Sequence, residues 1–320
     1  MDPYRWRELS IDAATSYVRA AGMGGNVVRA TPCKGGVANF NHELLLDNGR
    51  RVLLRTYAAR GGAASHGRAT ETFLQPLLVD YGVRAPAVLA SPPDPADFAV
   101  FEWIAGVRLR DAAATELDAS RLDAAWEATG RALRRTHELR IADFDGTFEG
   151  STIQPVDPPW WEQDRATMRD SAATLLSMGL IQPVDFERIL RIADRAQALI
   201  GHHVPSVLHG DAHAANVLVQ EGASSWVLAA WIDWERACIG DVESELATFD
   251  VFTRAQVGRT PESFWRGYGR RPDPAKYPFY ELETLLALAP LDHAQSLPPG
   301  REARRLVTTE LGRLLDVLDA

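Results

Sequence analysis

The sequence contains very little cysteine and no long hydrophobic run. Its only cysteines, Cys33 and Cys238, lie far apart and outside any CxxC pair, so they give no sign of a disulfide framework or a zinc site. No segment approaches the ~18 consecutive apolar residues of a membrane-spanning helix. The N-terminus MDPYRWRELS has neither the basic nor the apolar region of a secretory signal. We therefore expect a cytoplasmic protein without a membrane partner.

Positive charge is also scarce. The chain has 43 Asp and Glu against 34 Lys and Arg, so its formal net charge is −9 at pH 7. Proteins that bind nucleic acid by neutralising phosphates are normally basic, so nucleic acid is disfavoured as a partner. An acidic surface suits a cationic small substrate better, but many cytosolic proteins are acidic for solubility alone. Only Lys34 and Lys276 are lysines, so an arginine can stand where a lysine is customary.

The hydrophobic pattern predicts an α+β fold with two lobes, which suits a globular chain of 320 residues. In the first hundred residues we expect a helix at 11–21 with Ser10 as N-cap, strands at 38–46 and 51–57, a helix at 66–80 and a strand at 99–104. Further along we expect helices at 120–139, 161–177 and 185–200, a loop at 141–160, and short strands within 207–233. After that the pattern is helical, apart from a turn at 269–278. We predict a small β-rich N-terminal lobe (1–104), ending in a hinge, and a larger helical lobe (105–320).

The strongest chemical signal is VLHGDAHAANVLV at 207–219, followed by WVLAAWID, which ends in Asp233. Phosphoryl transfer needs a carboxylate that orients the attacking hydroxyl and accepts its proton. It also needs Mg²⁺, a hard cation that prefers oxygen ligands. Asp211 fits the base, while Asn216 and Asp233 fit the magnesium ligands.

The same segment allows two other interpretations. His209 and Asp211 can simply close the end of a strand. The HGDAH sequence also offers two histidines and an aspartate at short spacing, which is compatible with a metallo-hydrolase. That hydrolase would leave Asn216 without a role. His213 is most simply a loop residue near the metal or the phosphates.

HGDxxxxN followed by IDWE resembles the aminoglycoside phosphotransferase and choline kinase family of the protein-kinase-like fold. In that family HGD replaces the HRD of protein kinases, and IDW or IDF replaces DFG. The resemblance covers nearly the whole chain. It implies a two-lobed kinase-like fold, ATP or GTP with Mg²⁺ as the phosphate donor, and a small-molecule hydroxyl as acceptor. His209 and His213 would support the loop that carries Asp211.

The N-terminal lobe carries a weaker signal for phosphate binding. In KGGVANF at 34–40, Gly35 and Gly36 would let backbone amides approach phosphates, although two glycines before a strand can also form an ordinary turn. Asn39 lies where related kinases often carry asparagine. The segment FEWI at 101–104 resembles the hinge between lobes, where the backbone at Glu102 and Ile104 would read the nucleotide base.

One position departs from the wider kinase pattern. Where the fold usually has a lysine that binds phosphates and pairs with a helix glutamate, this chain has Arg55 and Glu71. Arginine keeps the charge but differs in geometry. An ordinary surface ion pair is the other interpretation of the two residues. The substitution also leaves open a nucleotide-binding pseudokinase that acts as a regulatory module.

The resemblance also covers GD at 240–241 and ELA at 245–247, where Glu245 replaces the usual aspartate and would brace the catalytic loop. We interpret His137 as a packing residue.

The acceptor is not identified, but the acidic balance favours a cationic one, such as an aminoglycoside or another amino-bearing antibiotic. Five side chains could line its cleft or be packing and surface residues: Trp160, Trp161, Glu162, Asp250 and Glu281. The sequence does not indicate an oligomeric state.

Overall fold

The N-terminal part of the chain forms a five-stranded antiparallel sheet in this computed structural model, which describes residues 8–33, 39–57, 63–93, 96–295 and 298–319. Its strands are β1 (Val27–Pro32), β2 (Phe40–Leu46), β3 (Arg51–Thr56), β4 (Val88–Ala90) and β5 (Phe98–Glu102). They lie in the order β1-β2-β3-β5-β4.

The hairpin of β2 and β3 forms where the sequence alternates. In β2, His42, Leu44 and Leu46 are buried while Glu43 and Leu45 between them are partly exposed, so the predicted strand is confirmed. The turn contains Gly49 with φ +80°, a conformation that glycine adopts without strain. The register sets Asn41 directly opposite Arg55. Both side chains therefore lie on the same face of the sheet.

Two helices accompany this sheet, α1 (Ile11–Ala20) and α2 (Ala63–Asp80). The Ser10 hydroxyl accepts a hydrogen bond from the N–H of Ala13 at 3.2 Å, so the predicted N-cap of α1 is confirmed. Buried residues of α1 join the apolar core under the sheet. Pro76 lies inside α2 without ending it.

The rest of the chain is mainly helical. Its helices are α3 (Leu109–Thr115), α4 (Asp123–Glu138), α5 (Trp160–Ser177), α6 (Pro183–Asp194), α7 (Ala196–Ile200), α8 (Val242–Val257), α9 (Glu262–Tyr268), α10 (Tyr277–Gln295) and α11 (Pro298–Asp319). Its strands are β6 (Val107–Arg108), β7 (Gly146–Glu149), β8 (Thr152–Pro155), β9 (Ser206–Leu208), β10 (Val217–Glu221), β11 (Trp226–Trp231) and β12 (Cys238–Gly240). These strands form two small sheets, in the orders β11-β10-β6 and β8-β7-β12-β9.

Three predictions of local structure are wrong. The expected loop at 141–160 contains the β7–β8 hairpin, whose strands are only four residues long and therefore show almost no periodicity. Residues 238–240 form β12 rather than helix because they pair with β9 on one side and β7 on the other. The helix predicted at 185–200 is interrupted at Arg195, which leaves two helices, α6 and α7.

Separate apolar cores hold the helical part together. One lies around the buried Trp231 and Trp234, between α4, α8, α9 and the β10–β11 hairpin. The other is built by α5, α6, α8, α10 and α11. Within the described residues, no helix is both long and apolar enough to cross a bilayer.

Candidate active site

The loop after β9 carries the HGD residues in a conformation that requires the central glycine. Gly210 has φ +76°, and a Cβ there would lie 1.9 Å from the carbonyl oxygen of Arg236. Any other residue would be strained by its backbone angle and would also clash with this carbonyl. The glycine therefore lets the loop lie directly against the segment that follows Asp233.

His209 ties this loop to the strand that leads to Asp233. Its ring is fully buried, and Nε2 lies 2.9 Å from the carbonyl oxygen of Ile232. Because a carbonyl only accepts, Nε2 carries the proton, and Nδ1 is free to accept the backbone N–H of Asp211 at 3.3 Å. The ring also packs against Trp234, with centroids 4.3 Å apart. His209 thus positions the loop.

Asn216 is hydrogen-bonded to Asp211, five residues earlier in the chain. Its amide nitrogen donates to the Asp211 backbone oxygen at 2.9 Å and to Oδ2 at 3.0 Å. Both contacts use the amide nitrogen, so the amide oxygen takes no part in bonding Asp211. The other Asp211 oxygen, Oδ1, lies 3.6 Å from His213 Nε2. His213 stacks on Phe252, and burial lowers its pKa, although the Asp211 carboxylate opposes the shift.

Asp233 lies in the turn after β11 with a left-handed backbone, φ 72° and ψ 55°. Among the described residues it is the only non-glycine with positive φ, a feature that often accompanies functional sites. Its carboxylate accepts a hydrogen bond from Arg55 Nη1 at 2.9 Å. Burial alone would raise the pKa of Asp233, but the Arg55 guanidinium brings it below its usual value. Asp233 is therefore a carboxylate at neutral pH.

Arg55 and Glu71 form a buried ion pair, so the surface-pair interpretation is wrong. Nη1 and Oε1 are 2.6 Å apart, and the side chains are 7% and 2% exposed. Glu71 also accepts the Tyr57 hydroxyl and the backbone N–H of Trp234. The arginine thus makes the contact expected of the usual lysine. Glu71 connects the first sheet to the Asp233 turn.

A cavity of about 700 Å³ lies between the first sheet and the helical part. Five of the predicted nucleotide-site and metal residues line it, namely Arg55, Glu71, Glu102, Ile104 and Asp233. Asn39 does not line it but donates a hydrogen bond to Glu235 beside the Asp233 turn. Gly35 and Gly36 lie outside the described residues.

Glu245, on α8, stabilises the loop that carries Asp211. Its oxygens accept the backbone N–H groups of His209 at 2.9 Å and of Gly210 at 2.7 Å. His137 Nε2 lies 2.8 Å from the same carboxylate, and its Nδ1 lies 2.8 Å from the Tyr268 hydroxyl. His137 is therefore more than a packing residue, because it completes this brace. Nothing in its sequence context indicated the contact.

A second cavity, of about 310 Å³, lies on the α5, α8 and α10 side of the loop. It is lined by Gly210, Arg236 and Trp160, and by two acids that the sequence analysis did not single out, Asp164 and Glu283. Burial raises the pKa of Asp164 to about 7, and burial next to Asp164 raises the pKa of Glu283 further from its usual value. Single acids on amphipathic helices carry no signal that could have revealed this pair.

Four of the five side chains considered for the acceptor cleft lie outside this cavity. Asp250 and Glu281 are engaged by Arg254, and Glu162 forms an ion pair with Arg165 at 3.2 Å. The Arg165 guanidinium also lies over the ring of Trp161. Of the five candidates, Trp160 alone lines the cavity beside the loop, and its indole N–H donates to the Ile239 carbonyl at 2.9 Å.

The donor chemistry of the site suits a hard cation. A carboxylate on Asp233 and an amide oxygen on Asn216 are the kinds of ligand that Mg²⁺ takes. Across the described part of the chain, no three or more His, Cys, Asp and Glu side chains are grouped to hold a metal ion. The metallo-hydrolase interpretation therefore has no ligand set in these residues.

This combination of a five-stranded sheet, a helical lobe and an HGD loop facing an aspartate turn defines a phosphotransferase of the protein-kinase-like fold. The model of the phosphotransferase enzyme family matches residues 29–280, and the chain belongs to that family. A comparison with the sequences of curated proteins gave no match.

Solved structures share this fold at low sequence identity. A putative aminoglycoside phosphotransferase from Ralstonia eutropha is 14% identical, with 98% of this chain and 99% of that chain covered and a TM-score of 0.65. The streptomycin–ATP–APH(2")-IIa ternary complex is 14% identical, with coverages of 96% and 97% and a TM-score of 0.59. The GDP and kanamycin complex of APH(2")-IIia is 15% identical, with coverages of 95% and 99% and a TM-score of 0.63.

Proposed function

We propose that the protein transfers the γ-phosphate of ATP or GTP to a hydroxyl group of a small, cationic acceptor, with Mg²⁺ as cofactor. This proposal rests on two groups of residues that lie together in the structure. Asp211 and Asn216 are bonded on one loop, and that loop is tied through His209 to the turn where Asp233 meets Arg55. Each group supplies a different part of phosphoryl transfer.

The nucleotide would lie in the 700 Å³ cavity, with its base at the backbone of Glu102 and Ile104 and its phosphates toward Arg55. Gly35, Gly36 and Asn39 would approach the phosphates from the side of the first sheet. One structural neighbour is in complex with ATP and another with GDP, which supports both adenine and guanine nucleotides as candidates for this site.

Asn216 and Asp233 would hold Mg²⁺ through oxygen atoms. When bound, this cation neutralises charge on the phosphates. Asp211 would orient the acceptor hydroxyl and take its proton as the oxygen attacks phosphorus. Its carboxylate is held in place for this task by Asn216 at 3.0 Å.

The acceptor would enter from the side of the 310 Å³ cavity. Asp164 and Glu283 both line this cavity beside the loop that carries Asp211, so their carboxyl oxygens would accept hydrogen bonds from the amino groups of an acceptor. Relatives in complex with streptomycin and with kanamycin are consistent with such acceptors. An antibiotic-inactivating phosphotransferase is therefore the proposed class.

The decisive test is transfer of labelled γ-phosphate from ATP and from GTP to streptomycin and to kanamycin, with Asp211→Asn as the variant. A general base contributes about 10²–10⁴-fold to a rate, so we expect a loss of kcat of that size. The dissociation constant for the nucleotide should stay within about twofold, because Asp211 acts on the acceptor. Asp170→Asn, an exposed carboxylate on α5, is the matched control. Full activity of Asp211→Asn would contradict the assignment.

A further inference from the structure

The guanidinium of Arg55 is held by three different parts of the protein. Nη1 reaches Glu71 at 2.6 Å and Asp233 at 2.9 Å, and Nε donates to the amide oxygen of Asn41 at 2.9 Å. The remaining nitrogen, Nη2, makes no hydrogen bond with any residue in the described ranges. Because Arg55 and Asn41 both line the 700 Å³ cavity, Nη2 is the donor left for a ligand there.

Asn41 is placed for this contact by the sheet itself. The β2–β3 register sets it directly opposite Arg55, so the two side chains are cross-strand neighbours on one face. A guanidinium is planar and its donors have fixed directions. A bond at Nε therefore fixes the plane of the group, and with it the directions in which Nη1 and Nη2 point.

A lysine would not use Asn41 in this way. Its stem carries no donor where arginine has Nε, and its ammonium acts as a compact point charge with rotatable donors. Asn41 thus orients an arginine at position 55 through a contact that it would not make with a lysine. This is the position at which the chain departs from the kinase pattern.

We propose that Asn41 is a positioning residue that fixes the Arg55 guanidinium, so that Nη1 spans Glu71 and Asp233 while Nη2 is presented to the phosphates of the nucleotide. The proposal rests on the proposed function, since it concerns the same phosphate site. It assigns Asn41 no contact with the substrate.

The test is a double-mutant cycle on nucleotide binding. Dissociation constants for ATP and GTP, each with Mg²⁺, are measured by calorimetry for the wild type, Asn41→Ala, Arg55→Lys and the double variant. Hydrogen bonds to charged groups are among the stronger ones, so Asn41→Ala should raise the dissociation constant by about tenfold. In the Arg55→Lys background the same change should have an effect below about twofold, because no Nε is left to orient.

Two further variants separate orientation from structural damage. Asn41→Val also lacks the acceptor but suits a strand, so it should reproduce the effect of Asn41→Ala even if the alanine variant folds poorly. Glu43→Gln is the matched control, because Glu43 lies two residues along β2 and pairs with Arg51 instead of Arg55. It should leave the dissociation constant within about twofold of the wild type.

The outcomes are distinguishable. If the wild type binds a nucleotide and Asn41→Ala binds it equally well, the role of Asn41 is refuted while the proposed function stands. An equal loss in the wild-type and Arg55→Lys backgrounds would show a general structural effect and would also refute it. If the wild type binds neither nucleotide, the proposed function fails and the role of Asn41 fails with it.

Discussion

Removing the Glu245 carboxylate should be among the most destabilising single changes in the helical lobe. This carboxylate accepts from the backbone N–H groups of His209 and Gly210 and contacts the ring of His137. Both acid and imidazole are almost fully buried, at 3% and 4% side-chain exposure. Glu245→Ala would remove the acceptor of two buried donors, on His209 and His137, and of the partly buried N–H of Gly210.

The expected loss follows from those three donors. At ~1–2 kcal/mol for each of the two unsatisfied buried donors, and less for the partly buried one, Glu245→Ala should lower the free energy of unfolding by about 2–5 kcal/mol. That is a large part of the ~5–15 kcal/mol that typically stabilises a folded protein. Glu245→Gln keeps one acceptor oxygen but turns an NH₂ group toward a donor, so its loss should be smaller, about 1–3 kcal/mol. Glu245→Asp keeps the charge and should lose less than Glu245→Ala.

Urea unfolding at neutral pH, followed by circular dichroism, measures these differences. Glu262→Ala is the matched control, because Glu262 is 77% exposed and pairs with Arg271 on the surface. Exposed pairs contribute ~0–1 kcal/mol, so the control should unfold nearly as the wild type does. If Glu245→Ala lost no more stability than Glu262→Ala, the carboxylate would not be bracing the loop.

The same brace predicts a pH dependence. Burial opposes ionisation of Glu245, but the His137 hydrogen bond and charge hold its pKa below the usual value. A depressed acid pKa gives stability that is present above the unfolded pKa and is lost as the pH falls through the folded value. The difference in stability between the wild type and Glu245→Gln should therefore be largest near neutral pH and should shrink in acid.

Two more outcomes follow from the loop and the second cavity. Gly210→Ala should lower both activity and melting temperature, because its Cβ would meet the Arg236 carbonyl at 1.9 Å and its φ is +76°; an unchanged kcat would contradict the close approach. Asp164→Asn should raise the melting temperature more at pH 8 than at pH 5, because burial raises the pKa of Asp164 to about 7, so its ionisation above that pH disfavours folding. Equal shifts at the two pH values would argue against this raised pKa.

The residues of the HGD and IDWE motifs could be predicted because their chemistry depends on short spacings. Asp211 and Asn216 lie five positions apart, and this offset was enough to single both out, although their side-chain contact at 3.0 Å was not predicted. The strands β2 and β3 were predicted for the same reason, since alternation of apolar and polar residues is a local pattern. Strands of three or four residues, such as β7 and β12, were missed because they are too short to show a period.

The sequence by itself determined which chemical groups occur at fixed offsets: a carboxylate and an amide in the loop after β9, and a second carboxylate after β11. Only the tertiary structure decided what holds that chemistry in place. His137 and Glu245 are 108 positions apart, and Tyr57 joins Glu71 from another element. Asn41 reaches Arg55 only through the register of two strands. Contacts between distant segments depend on packing and on strand register, and the local periodicity of the sequence predicts neither.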